Sequence, residues 1–297
     1  MVEKRKATTG QKILDFLTYF NPKIFSVILI LAMFIPMIRP FLIPISVNPY
    51  SVQFVEFIKK HSGGICFYHA ESAMFGVTSG LHAEARAVLE ALFKYRVKVI
   101  IVPVGIASSV LTPDFHIWLV KNYGLDEKYG YEYGRDWVVM PWQGTLETAL
   151  AAATVFENMR TDYYGTPIEN LPIFRGLKNL GDIDFVVAEY EHCATIDQAI
   201  RQYYAKYGKQ ILAAQINCWG PTVAYAGKGV AALIEGTQGA AEIEYLIGEP
   251  ALGMSYMAPT SMLSLLFFIF LVLSNIIFWS RRILALRKQK ERGVMRG

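Results

Sequence analysis

Two histidines, a run of carboxylates and two thiols follow apolar stretches of this chain. His69 and Glu71 close one stretch (GICFYHAE), and Glu189, Glu191, His192 and Cys193 close another (IDFVVAEYEHC). Asn217 and Cys218 follow a third (QILAAQINC), and Gln143 follows a fourth (WVVMPWQ). Imidazole beside carboxylate makes an acid–base pair, and adding thiolate makes a transition-metal ligand set. Parallel α/β sheets bind ligands beyond the carboxyl ends of their strands, at a switch in strand order. These residues are therefore a candidate ligand-binding crevice. The plainer alternative is that polar residues at loop entries cap the next helix, as Thr195 is placed to do for a helix from Ile196. The sequence assigns no catalytic residue and leaves metal and cofactor unknown.

The commoner chemistries leave signatures, and those are absent. Six residues separate Gly220 from Gly227-Lys228, where a phosphate-binding loop has four, and Gly229 replaces the needed Ser or Thr. No GxGxxG follows the first apolar stretch; His69-Ala70-Glu71-Ser72 stands there. HExxH, GxSxG, paired CxxC and an N-glycosylation sequon are also missing. Cys66, Cys193 and Cys218 are an odd count and no disulfide framework. Buried free thiols are the favoured state, with a Cys193–Cys218 bridge as the alternative if the strands before them are neighbours.

The elements that must position these residues alternate in type. Strands are expected at 64–69, 98–104, 137–142, 183–189 and 210–216, and helices at 73–93, 145–159 and 196–207. A small-residue helical region is expected from about 221 to 246. Strands that are apolar almost throughout, separated by amphipathic helices, indicate a doubly wound, mainly parallel α/β sheet whose strand order is not readable. Two loops, 123–133 with four tyrosines and 162–176 marked by Pro167 and Pro172, exceed a minimal α/β unit. Their tyrosines either pack the loops onto the domain or bind sugars, cations or partners.

Of 297 residues, 53% are hydrophobic and 18% charged, which excludes a disordered chain. Only two stretches are apolar for long enough to cross a bilayer, which argues against a multi-span transporter. Residues 261–279 (SMLSLLFFIFLVLSNIIFW) carry no charge, with Pro259-Thr260 at the expected start and Trp279 at the far boundary. Residues 24–47 make a less regular span, in which Pro36, Pro40 and Pro44 recur every four residues and Arg39 snorkels or pairs. A cleavable signal peptide is the alternative, without a small-x-small site to support it. Residues 11–20 read as an amphipathic helix on the membrane surface or an extension of the span.

Net charge is +4, but it is unevenly spread. The tails 1–23 and 280–297 hold 12 of the 29 basic residues and 3 of the 25 acidic ones. Basic tails beside spans place both termini in the cytoplasm and the domain 50–255 outside. Nucleic-acid binding is not supported, because the basic charge flanks membrane.

The blocks TDYYGTPIENLPIFRGLKNLGDIDFVV (161–187) and GVAALIEGTQGAAEIEYLIGEP (229–250), with the closing span, resemble a group of uncharacterised prokaryotic membrane proteins. In that group an α/β domain sits between an N-terminal and a C-terminal span. The likeness covers about two-thirds of the chain, implies that architecture, and carries over no site residue.

A contact between copies is expected around Ala224, Gly227, Gly229, Ala232, Gly236 and Gly239. Glycine costs about 1 kcal/mol against alanine inside a helix, so these need a compensating close approach, by another subunit or by the domain's own sheet. Ser264, Ser274 and Asn275 add hydrogen-bonding groups to the second span. The expected function is therefore a membrane-anchored α/β protein acting in assembly or ligand binding at the membrane surface, as a homo-oligomer. Its partners are lipid, its own copies and another membrane subunit. The alternatives are a membrane-bound enzyme, hydrolytic or metal-dependent, that uses the crevice, and an accessory subunit of a larger complex.

Overall fold

Stretches such as CFYHA, VIIVP and FVVA have no polar face, so they are stable as strands only when both sides are covered. The computed structural model describes residues 22–39, 45–71, 79–105, 111–144 and 147–294. They fall into two units, Pro40–Met257 and Met1–Arg39 with Ala258–Gly297. The first unit holds six parallel strands: β1 (Ile65–Ala70), β2 (Lys98–Pro103), β3 (Trp137–Val139), β4 (Phe185–Tyr190), β5 (Ile211–Gln215) and β6 (Val230–Glu235). Their order is β3-β2-β1-β4-β5-β6. The order reverses between β1 and β4, where His69 pairs in register with Ala188 and Ala70 with Glu189.

Helices cover both faces. On one lie α2 (Pro49–Lys60), α3 (Ser79–Lys94), α4 (Thr112–Asn122) and α9 (Gly236–Ile247), whose apolar sides pack on Cys66, Tyr68 and Val187. The short α5 (Leu125–Tyr129) follows α4. On the other face lie α6 (Glu147–Ala153) and α7 (Ala194–Ala199), with 3-10 turns at Phe156–Met159 and Pro172–Phe174, over Phe67, Val186 and Ala213. From Ile200 to Ala205 the α7 helix widens into a π-helix. The α2 start follows from its sequence: the Asn48 side chain accepts from the Tyr50 N–H, and Pro49 occupies the first turn.

The region 221–246 is not one helix, as its small residues suggested. It contains α8 (Trp219–Val223), the edge strand β6 and then α9. The alanines of VAALIE blur the strand's pattern, and the break comes from Gly227 and Gly229, both at positive φ. The α2 and α4 helices were not anticipated either. The tyrosine loops pack onto the domain: Tyr131 is buried and donates to the Val97 carbonyl, and the Tyr133 ring meets Trp137 edge-on.

In the second unit, α1 (Pro22–Ile38) and most of α10 (Leu252–Val294) expose apolar side chains, Ile30, Phe34, Phe267 and Phe268 among them. Among the described residues one helix is long and apolar enough to cross a membrane, over Leu252–Ile283, with a mean hydropathy of 2.4 and none of that stretch buried. The apolar part of α1, Ser26–Ile35, is shorter than a bilayer requires. Residues 1–21, with the expected amphipathic helix 11–20, and residues 40–44 of the expected first span lie outside the described residues. The closing helix also starts earlier than Pro259 suggested, so that proline is internal. The Glu244 carboxylate sets the start, accepting from the backbone N–H groups of Ala251, Gly253 and Met254 at 2.8–2.9 Å.

Candidate functional site

Side chains alternate across a strand, so β1 sends Tyr68 to the α3–α4 face and His69 to the α7 face. The expected single crevice is thus two clusters, divided by the sheet at its point of reversal.

On the α7 face, His69 is 2% exposed; its Nδ1 lies 2.8 Å from the Tyr203 hydroxyl and its Nε2 3.4 Å from Glu71. Burial, and next the Glu71 charge, push the Tyr203 phenol well above its usual range. A protonated Tyr203 donates to Nδ1, which leaves the Nε2 proton facing Glu71. Tyr203 reaches this position from the π-helical turn, a geometry frequent at functional sites. Thr195 does not cap its helix as expected; it is buried and donates to Glu71 at 2.6 Å. His192 is exposed, with Nδ1 3.8 Å from Glu71 and 3.9 Å from Glu191.

On the α3–α4 face, Glu189 is fully buried. One carboxylate oxygen accepts from the Tyr68 hydroxyl at 2.7 Å and lies 3.3 Å from His116 Nε2. His116 Nδ1 faces the Thr112 carbonyl at 2.9 Å, which can only accept. Nδ1 therefore donates to that carbonyl, and Nε2 faces the Glu189 carboxylate. Glu84 lies beneath them, accepting from the Gln215 and Gly236 N–H groups at 3.1 Å each. Burial, and then the Glu189 charge, raise the Glu84 carboxyl well above the carboxylate range, against the pull of those two N–H groups. The second oxygens of Glu84 and Glu189, and the Thr112 hydroxyl, are buried without a hydrogen-bond partner among the described residues.

The remaining expected residues are scattered. Gln143 is half-buried at the ends of β2 and β3, where its side chain donates to the Pro141 carbonyl. Asn217 is exposed in a left-handed turn. Cys193 and Cys218 form a disulfide, correcting the free-thiol reading for this pair. They follow neighbouring strands, with Tyr190 opposite Gln215, which brings their Cα atoms to 5.1 Å. Cys66 is buried and free, its thiol pushed up by burial. Among the described residues no group of three His, Cys, Asp or Glu is arranged to hold a metal.

The small-residue stretch finds its close approaches inside the domain. A Cβ on Gly229 would meet Ile200 at 2.7 Å, and one on Gly239 would meet Ile234 at 2.7 Å. Gly229, Ala232, Gly236 and Gly239 are buried by their own fold, and only Ala224 and Gly227 are exposed. The glycines therefore give no separate reason for a contact between copies.

Tyr68, Glu84, Thr112, His116 and Tyr203 were missed by the sequence reading. Glu84 and Tyr203 lie inside helices, and His116 lies on a helix that was not anticipated. Neither cluster contains a lysine or arginine. The buried carboxylates of the two clusters, with no lysine or arginine bonded to them among the described residues, disfavour phosphate there.

No protein-family model, curated protein or solved structure matches the chain.

Proposed function

We propose that this chain is a membrane-anchored α/β protein that binds a small, phosphate-free ligand between the ends of β1 and β4. The observation that carries this reading is the strand-order reversal, flanked on one face by buried, incompletely satisfied polar side chains and on the other by the buried His69–Glu71 pair. The anchor is α10, seconded by the apolar helix α1 as a span that continues toward residue 47. Basic tails keep both termini in the cytoplasm and the domain outside, where the Cys193–Cys218 disulfide is stable. That arrangement fits the prokaryotic membrane-protein group that the sequence resembles. Self-association, or a place in a larger membrane complex, now rests on the confinement of copies to a bilayer and on polar groups of the second span. Of these, Asn275 donates back to the Leu271 carbonyl of its own helix.

The test is mass spectrometry of small molecules released from gently purified full-length protein. A compound released by the wild type should fall at least tenfold in a His69→Ala, Glu71→Gln variant; equal or no release counts against the reading. An impermeant thiol reagent on intact cells should label Glu127→Cys, and labelling only after lysis would reverse the topology.

A membrane-bound enzyme is the second reading, favoured by the buried imidazole–carboxylate contact between His116 and Glu189. Turnover of the released compound by the wild type, lost in Glu189→Gln, would distinguish enzyme from binder.

A further inference from the structure

A second concavity lies two strands away from the crevice. A cavity of about 540 Å³ opens over the ends of β5 and β6, between the first turns of α3 and α9 and the start of α2. Small-molecule sites are usually ~300–1,000 Å³, so the space suits a ligand of one or two sugar rings.

The lining restricts the chemistry. Glu235 and Glu242 contribute carboxylates, and among the described residues no lysine, arginine or histidine lines the cavity. An anion would meet the two carboxylates without a compensating cationic side chain, which disfavours phosphates and nucleotides. A cation is not required either. The Glu242 carboxylate is almost fully buried and already engaged on both oxygens, by the Ser51 hydroxyl and by the Gln238 amide at 2.9 Å. Glu235 stands at the N-cap of α9, where the helix field offsets its charge. The other polar side chains are neutral: the amides of Asn48, Asn217 and Gln238 and the hydroxyls of Ser51 and Thr237. Each such group donates and accepts, as a sugar hydroxyl does. Trp219 supplies a half-buried indole, an apolar surface for the C–H face of a pyranose.

We propose that this cavity binds a neutral, polyhydroxylated ligand of the saccharide class, stacked on Trp219 and hydrogen-bonded by Gln238, Asn217 and Glu235. The site is distinct from the crevice between β1 and β4, although the Gly236 N–H at its edge donates to Glu84 of that cluster. Gln238 is exposed and Trp219 half-buried, so a ligand can reach both; because Gln238 also donates to the buried Glu242 and Trp219 packs on the core, the melting temperature of each variant is compared with that of the wild type.

The experiment is titration calorimetry on the full chain in lipid nanodiscs, because alkyl-glycoside detergents would themselves present sugars. The probes are glucose, galactose, N-acetylglucosamine, maltose and lactose, with inorganic phosphate and spermidine as controls. Saturable binding of at least one sugar is expected, weakened at least tenfold by Trp219→Ala and by Gln238→Ala, with neither control binding. The proposal is overturned if no sugar binds, if spermidine or phosphate binds instead, or if Gln238→Ala leaves the affinity unchanged. Binding lost in His69→Ala but kept in Trp219→Ala would assign the sugar to the crevice and overturn it too.

Discussion

Replacing Glu84 by glutamine should make the protein more stable at alkaline pH. The side chain is fully buried, with one oxygen accepting two backbone N–H groups at 3.1 Å and the other unpartnered among the described residues, in the field of Glu189. The folded state therefore holds the Glu84 proton more tightly than the unfolded chain does. This raised carboxyl adds stability that is full below the unfolded value of about 4.3 and is lost as pH rises through the folded value. Over that interval the slope is about 1.4 kcal/mol per pH unit for one proton. Glutamine keeps the accepting oxygen and the shape but removes the titration. At about 2–4 °C per kcal/mol for a domain of this size, the variant should gain roughly 3–6 °C on wild type for each pH unit across the interval. Alanine should behave differently. It strands the Gln215 and Gly236 N–H groups, at about 1–3 kcal/mol each, and destabilises at every pH. The assay is thermal unfolding of the solubilised full chain, followed by intrinsic fluorescence from pH 5 to 9. Parallel Tm-against-pH curves for wild type and Glu84→Gln would refute the reasoning.

Two further predictions concern the frame around the site. Alkylation of denatured, unreduced protein should modify Cys66 alone, and Cys193→Ser should cost about 3 kcal/mol, as expected for a loop of 25 residues; three reactive thiols would contradict the pairing. Glu244→Ala strands three N–H groups at the start of α10 and should cost at least about 3 kcal/mol, roughly 1 for each orphaned donor; a loss below 1 kcal/mol in denaturant titration would show that water takes over the cap.

The parallel sheet was legible because β1, β2, β4 and β5 are apolar on both faces and bounded by helical patterns. The sixth strand was not, since alanines hide the apolar run of β6 inside a composition that also suits a helix. Helix α4 carries start signals, Pro113 in its first turn and Asp114 beside it, but it was overlooked. Residues at strand ends could be located as a class, and His69, Glu71 and Glu189 do flank the reversal. Their division between faces was also written in the alternation of Tyr68 and His69, yet it matters only once β1 and β4 are known to be neighbours. Tyr203 and Thr195 could not be found this way, because a π-helical turn and a long-range hydrogen bond bring them to the site. The glycines of 227–239 showed that backbone comes close there, but not to what.

The most direct measurement is a high-resolution structure of the natively purified particle in lipid, never exposed to detergent of the glycoside type. The account predicts a small molecule between the ends of β1 and β4, in hydrogen-bond contact with the His69–Glu71 cluster or with Glu189 and Thr112. A closed crevice, with the free oxygens of Glu189 and Glu84 and the Thr112 hydroxyl all bonded to the chain's own residues and no ligand between them, would contradict it.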